Sequence, residues 1–272
     1  MGPLGFETRA RTFGAAGIAL DATLEEGWVA EWRALKTALP VVAVEGPCPR
    51  PRTPRAARLA TTDKDERRQA LESLRATLRL AVDVGAPTVV LRLGALEIGS
   101  AWQKVVKDFA RRNLARSHVE RMLEDRVKAA PRALDLARYG LEPILDDVAS
   151  AGLTLGLSNR ARWFEIPDTA ELGVLFEDFR GAPLAAWYDA AAAHAREALG
   201  FGRAAEWLAV HGKHAVGAFF GDACGLRAGL AWGRGEIDAA AVEAALPETV
   251  PQVVHLTADV TDEELAASIG AA

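Results

Sequence analysis

The 272 residues carry 32 Lys and Arg against 37 Asp and Glu, a formal charge of −5 and a pI near 5.7. That balance argues against a general attraction to nucleic acid or to an anionic membrane surface. Half of the residues are hydrophobic, yet no apolar run approaches the ~20 residues that cross a bilayer, and two cysteines cannot supply a disulfide framework. The N-terminus lacks the basic stretch, apolar run and cleavage site of a signal peptide, so a soluble, cytoplasmic protein without nucleic-acid or membrane partners is expected.

In chain order, Phe6–Ala16 reads as a helix and is followed by the first strand candidate, Gly17–Thr23. Pro40–Gly46 is the second, and the Pro/Arg-rich piece Pro47–Arg58 behind it reads as a long loop at a strand's C-terminal end. Helical spacing over Lys64–Val84 leads to Thr88–Gly94, a continuous apolar strand. Ile98–Arg132 resembles an insertion with a solvated helical face, and helical spacing continues over Val119–Ala151. Leu153–Asn159, Leu184–Asp189, Ala215–Gly221 and Gln252–Thr257 complete seven strand candidates. Apolar strands alternating with helices predict a parallel sheet covered by helices, and seven or eight units in this length predict a single α/β domain over residues 1–272, a (β/α)8-type TIM barrel. A doubly wound open sheet is the runner-up, disfavoured because no glycine-rich phosphate turn follows the first strand. Since a helix occupies the N-terminus, the first barrel strand is expected to be missing, or vestigial within Met1–Phe6. The resulting gap needs a covering segment, a homodimer contact or a partner subunit.

Several blocks, in order and at matching spacing, resemble the xylose isomerase-like sugar phosphate isomerase/epimerase family. They are VGAPTVVLRLG (84–94), LTLGLSNR (153–160) with WFEIPDTAELGVLF (163–176), LAAWYDAAAAHA (184–195), AVGAFFGDACGLR (215–227), GRGEID (233–238) and VPQVVHLTADVTDEEL (250–265). The resemblance runs from about Ala15 to Leu265. It implies a divalent cation in the barrel mouth, held by a Glu, an Asp, a His and a second Glu, that polarises a sugar carbonyl and hydroxyl while a carboxylate moves the proton. Those four positions correspond here to Ser158, Asp189, Phe219 and His255, so only Asp189 keeps the expected type. The family's substrate-contacting histidines fall on Arg92, Ala192 and Gly221, and its Asp-His pair after GLR falls on Ala228 and Gly229.

A fold hosts many chemistries and the site decides among them. The expected function is therefore a relative of the sugar isomerases that has lost most metal ligands, a metal-free pseudoenzyme or small-molecule-binding protein with no cofactor. The alternative is an active isomerase or epimerase with a rewired site for a divalent metal such as Mn²⁺ or Zn²⁺, drawing on Glu45, Asp189, Asp222 and His255. Against that stands the plainer reading that Asp222 and Glu45 cap helices or satisfy loop amides. Asp189 and His255 are the candidate catalytic residues. Arg92, Asn159, Arg160 and Arg227 are the candidate binding residues for a small polar or anionic ligand, with pairing to Asp189, Glu165 or Asp222 as the structural role open to the arginines. Cys48 and Cys224 read as packing, His194 as the start of a helix, and His211 and His214 as residues near a helix end.

Overall fold

The computed structural model describes residues 2–21, 23–35, 37–51, 58–99, 101–257 and 259–271. Part of the expected loop Pro47–Arg58, residues 52–57, lies outside them.

Helix α1 (Pro3–Thr12) precedes β1 (Ile18–Leu20), α2 (Glu26–Ala34) and β2 (Val41–Glu45). Helix α3 (Lys64–Val84) then leads to β3 (Thr88–Leu91), the short β4 (Gly94–Ala95), α4 (Trp102–Ala110) and the long α5 (Arg116–Ser150). Next come β5 (Thr154–Ser158), β6 (Glu165–Ile166), α6 (Thr169–Asp178), β7 (Leu184–Asp189), α7 (Ala190–Ala198) and α8 (Ala204–His211). The chain ends with β8 (Ala215–Phe220), β9 (Asp222–Cys224), β10 (Arg227–Leu230), α9 (Ala239–Ala245), β11 (Gln252–Val254) and α10 (Asp262–Gly270). Seven strands pair in parallel in the order β1-β2-β3-β5-β7-β8-β11, a nearly closed barrel with helices outside. All seven strand candidates form. No pairing joins β11 to β1 among the described residues.

A helix occupies the segment ahead of β1. Pro3 at the first helical position has a fixed φ that suits a helix start, and Gly14, at φ +82°, ends the segment in a conformation that favours glycine. The helix thus begins and ends a few residues earlier than its sequence pattern indicates, and residues 3–6 belong to it instead of to a vestigial strand. Arg9 of α1 pairs with Asp262 of α10, which joins the two ends of the helical ring beside the open edges.

Pleating sorts the side chains of the sheet into two layers. Outward, Val44, Val89, Leu91, Leu155, Leu157, Ala186, Tyr188, Ala218 and Phe220 meet the helices in one large core. Inward, Ala43, Val90, Trp187 and Phe219 fill the barrel. Trp187 is fully buried, and the glycines of neighbouring strands make room for it. A Cβ on Gly217 would lie 2.2 Å from the Trp187 ring, and one on Gly156 would lie 3.3 Å from its Cβ.

Two helices lock the frame around this layer. Asp63 caps α3 by accepting from the amides of Asp65 and Glu66, and Gly85 closes it at φ +73°. Arg126 of α5 is buried and donates to the carbonyls of Trp163 (2.8 Å) and Glu165 (2.9 Å), to Asp168 (3.0 Å) and to both carboxylate oxygens of Glu171 (2.7 Å). Asp168 and Glu171 also form the capping box of α6, so one guanidinium fixes the whole 163–171 segment to the long helix. Burial pushes the Glu171 carboxyl above its usual range. Burial acts upward on Asp168 as well, but Arg126 and the Glu171 amide outweigh it and hold that carboxyl low.

Candidate functional site

Parallel strands bring their C-terminal ends to one rim, and that is where the candidate residues gather. Glu45 ends β2, Arg92 follows β3, Asn159 and Arg160 follow β5, Asp189 ends β7 and His255 follows β11. Glu45 lies within electrostatic reach of Arg92, His255, Arg160 and Asp189. Its carboxylate is ion-paired with Arg92, and the side chain is only 7% exposed. Burial pushes its pKa up, and Arg92, His255 and Arg160 only partly offset that.

The partner of Arg92 is therefore Glu45, and not one of the three acidic residues expected from the sequence. Among the described residues Glu45 likewise serves neither as a helix cap nor as an acceptor for loop amides. Arg160 pairs with Glu165 (3.1 Å), one of the pairings its sequence context allows. Asn159 positions a neighbour. Its Nδ2 donates to the Asp189 carbonyl (2.9 Å) and its Oδ1 accepts from the Asp189 amide (2.6 Å). Both ends of the Asn159 amide thus hold the backbone of Asp189. Asp189 caps α7 by accepting from the Ala192 amide (2.9 Å) and is partly exposed at the rim. His255 is exposed, with its ring 5.6 Å from that of Phe219.

Arg227 is not brought to this group. It sits exposed on the β9–β10 hairpin and faces Asp259 at 3.9 Å. Asp222 is also withdrawn, in keeping with strand alternation. It is 1% exposed, and its carboxylate accepts from the amides of Ala223, Gly233, Gly235 and Ile237 (2.7–3.1 Å). Cys48 packs as expected, and burial raises its thiol pKa to about 12. Cys224 does not pack. It is exposed on the hairpin and hydrogen-bonded to Glu236, which raises its pKa. His194 stands within α7 instead of starting it and meets the same Glu236 at 3.1 Å. His211 ends α8, where its Nε2 donates to the Thr169 carbonyl at 2.8 Å.

The residues present do not fit the cation that the family resemblance implies. The Ser158 hydroxyl is buried and donates to the Asn159 carbonyl at 3.1 Å. Phe219 packs at a tilt against Trp187, with ring centroids 5.2 Å apart, and has no lone pair to offer. The Glu45 carboxylate, the one buried acid of the rim group, already holds a guanidinium. Among the described residues no three His, Cys, Asp or Glu side chains form a group that could hold a metal ion.

Solved structures give the same fold. The apo form of 3-keto-D-glucoside 4-epimerase, YcjR, from E. coli is 13% identical, with a TM-score of 0.69 over 97% of this chain and 91% of that one. D-psicose 3-epimerase in the presence of D-fructose is 12% identical, with a TM-score of 0.67 over 98% and 90%. A xylose isomerase domain protein from Planctomyces limnophilus is 15% identical, with a TM-score of 0.62 over 97% and 88%. The chain has the xylose isomerase-like barrel fold. No family model and no curated protein matches the sequence itself. At such identities the likeness concerns the backbone, and the chemistry of the mouth rests on this chain's own side chains. No helix among the described residues is long and apolar enough to cross a membrane.

Proposed function

We propose that this barrel binds a small anionic sugar derivative, such as a sugar acid or sugar phosphate, in its C-terminal mouth without a resident metal ion. The observation that carries the reading is the Arg92–Glu45 pair. A permanent cation stands at the rim among the residues that would have to hold a divalent ion, and it occupies the buried acid of that group. Arg92 remains 41% exposed beyond that contact, so part of its donor fork faces the opening. Arg160 adds a second cation nearby, while Asp189, its backbone held by Asn159, and His255 offer groups for sugar hydroxyls.

Isomerisation or epimerisation requires a proton to leave carbon, which needs an electrophile on the adjacent carbonyl as well as a base. Arg92 could hydrogen-bond an oxyanion, but the buried acid beside it, Glu45, is held in an ion pair and is not free to act as that base. Binding without turnover, as a pseudoenzyme or a ligand-dependent subunit, is the reading this arrangement favours.

Calorimetry with a panel of neutral ketoses, aldonates and sugar phosphates tests it. Anionic members are expected to bind and their neutral counterparts to bind at least about tenfold more weakly. Arg92→Ala is expected to weaken the anionic ligand by roughly 1.5–3 kcal/mol, the range for a hydrogen bond to a charged group. Equal affinity for neutral and anionic sugars would remove the charge argument. Turnover of a neutral ketose that depends on added Mn²⁺ would instead favour an active, rewired site.

A further inference from the structure

Beside the barrel rim, where the first turns of α6 and α8 approach α7, lies a cavity of about 170 Å³ that the rim residue Asn159 also borders. Arg196 and Trp207 form part of its wall, together with Thr169, Ala170 and Arg203. Arg196 is 9% exposed and Trp207 is 3% exposed. The Nη2 of Arg196 donates to the Phe201 carbonyl at 3.2 Å. Its Nη1, and the indole Nε1 of Trp207, are buried and have no partner among the described residues.

The two residues that carry these unpaired donors border one cavity. A buried N–H without an acceptor is costly, and a buried guanidinium more so, since it cannot shed its proton. What both groups lack is an acceptor, and for a permanent cation the matching acceptor is an anion. The carboxylate already on this wall, Asp168, is engaged by Arg126 and by the Glu171 amide. Glu206 is exposed at the margin, as is Arg203. Arg203 makes no side-chain cap for α8, and the Ala204 amide in its first turn is taken by the Glu197 carboxylate at 3.0 Å. The volume equals roughly five or six waters at ~30 Å³ each, which is enough for one tetrahedral or planar oxyanion.

We propose that this cavity is a binding site for a small oxyanion, a phosphate or carboxylate group, received by Arg196 Nη1 and Trp207 Nε1, at a site that adjoins the mouth through Asn159 but does not include Arg92. Ala170 lies exposed on the first turn of α6 at the edge of the cavity, so a longer acidic side chain there can reach in without disturbing the core.

The test is thermal unfolding of the intact protein against increasing inorganic phosphate, and separately acetate, at constant ionic strength with chloride as reference. Tm is expected to rise with one or both oxyanions beyond the chloride series, and which one acts identifies the phosphate or the carboxylate group as ligand. Arg196→Gln and Trp207→Phe are each expected to weaken the apparent affinity at least about tenfold. Ala170→Glu, which supplies its own carboxylate, is expected to unfold at higher temperature and to lose the response. Arg92→Ala is expected to keep it. If Arg196→Gln does not fold, Trp207→Phe and Ala170→Glu still decide. The proposal is overturned if neither anion raises Tm beyond chloride, if Trp207→Phe and Ala170→Glu respond like the parent, or if Arg92→Ala abolishes the effect and so moves the anion to the mouth.

Discussion

Replacing Arg126 with methionine is expected to destabilise the fold by about 3–5 kcal/mol, the range for removing one partner of a buried ion pair. Methionine keeps much of the aliphatic volume, so the loss reports the polar contacts. The Glu171 carboxylate and the carbonyls of Trp163 and Glu165 all lose a donor they receive in the interior. Burial then acts on Glu171 without the opposing guanidinium, so its carboxyl should bind a proton at higher pH than in the parent. A carboxyl whose folded pKa is raised stabilises the fold relative to its ionised form only while protonated, so the deficit should narrow as pH falls through that value. Denaturant unfolding at neutral and acidic pH checks both points. A loss below about 1 kcal/mol, or one that widens in acid, would mean that the segment is held by other contacts.

Trp187→Ala is expected to cost about as much, roughly 3–5 kcal/mol, for a different reason. The ring is fully buried inside the barrel and is flanked by Gly156 and Gly217, which have no side chains to collapse into the space it leaves. Phe219 touches the same ring at 5.2 Å and would lose its packing partner, directly beneath the mouth. The complementary change, Gly217→Ala, forces a Cβ to 2.2 Å from the ring and should also destabilise, by about 1–3 kcal/mol or more. Combining the two substitutions should recover part of the loss, because the alanine then occupies space that the ring has vacated. Strict additivity in denaturant unfolding would show that the two positions do not share this space.

The barrel strands were legible because a parallel strand covered on both faces is a continuous apolar run, and residues such as TVVL and VVAVE allow no other reading between two helical patterns. The short antiparallel pairs β4–β6 and β9–β10 were not, since pieces of two to four residues carry no periodicity. Arg92, Arg160, Asp189 and His255 come together because strand ends converge in any such barrel, and knowing the strands is then enough. Arg227 opens the second strand of a hairpin instead of following a barrel strand, and nothing in its spacing reveals where that hairpin turns. The Arg92–Glu45 pair joins neighbouring strands β2 and β3, with Glu45 opposite Val90, two residues before Arg92. Register decides that contact, and register is a tertiary property. The unpaired donors of Arg196 and Trp207 were likewise invisible, because a missing partner becomes apparent only once the surrounding chain is in place.

A protein cation at the rim in place of a bound metal is most directly tested by elemental analysis. The purified protein would be equilibrated with Mn²⁺, Co²⁺ and Zn²⁺ and then freed of excess ion by desalting. The expected result is no stoichiometric metal, in the parent and in Asp189→Ala alike, since Glu45 is engaged by Arg92 and Asp189 with His255 supplies only half a coordination set. About one ion per chain, lost on replacing Asp189 or His255, would contradict this and establish a rewired metal site in the mouth.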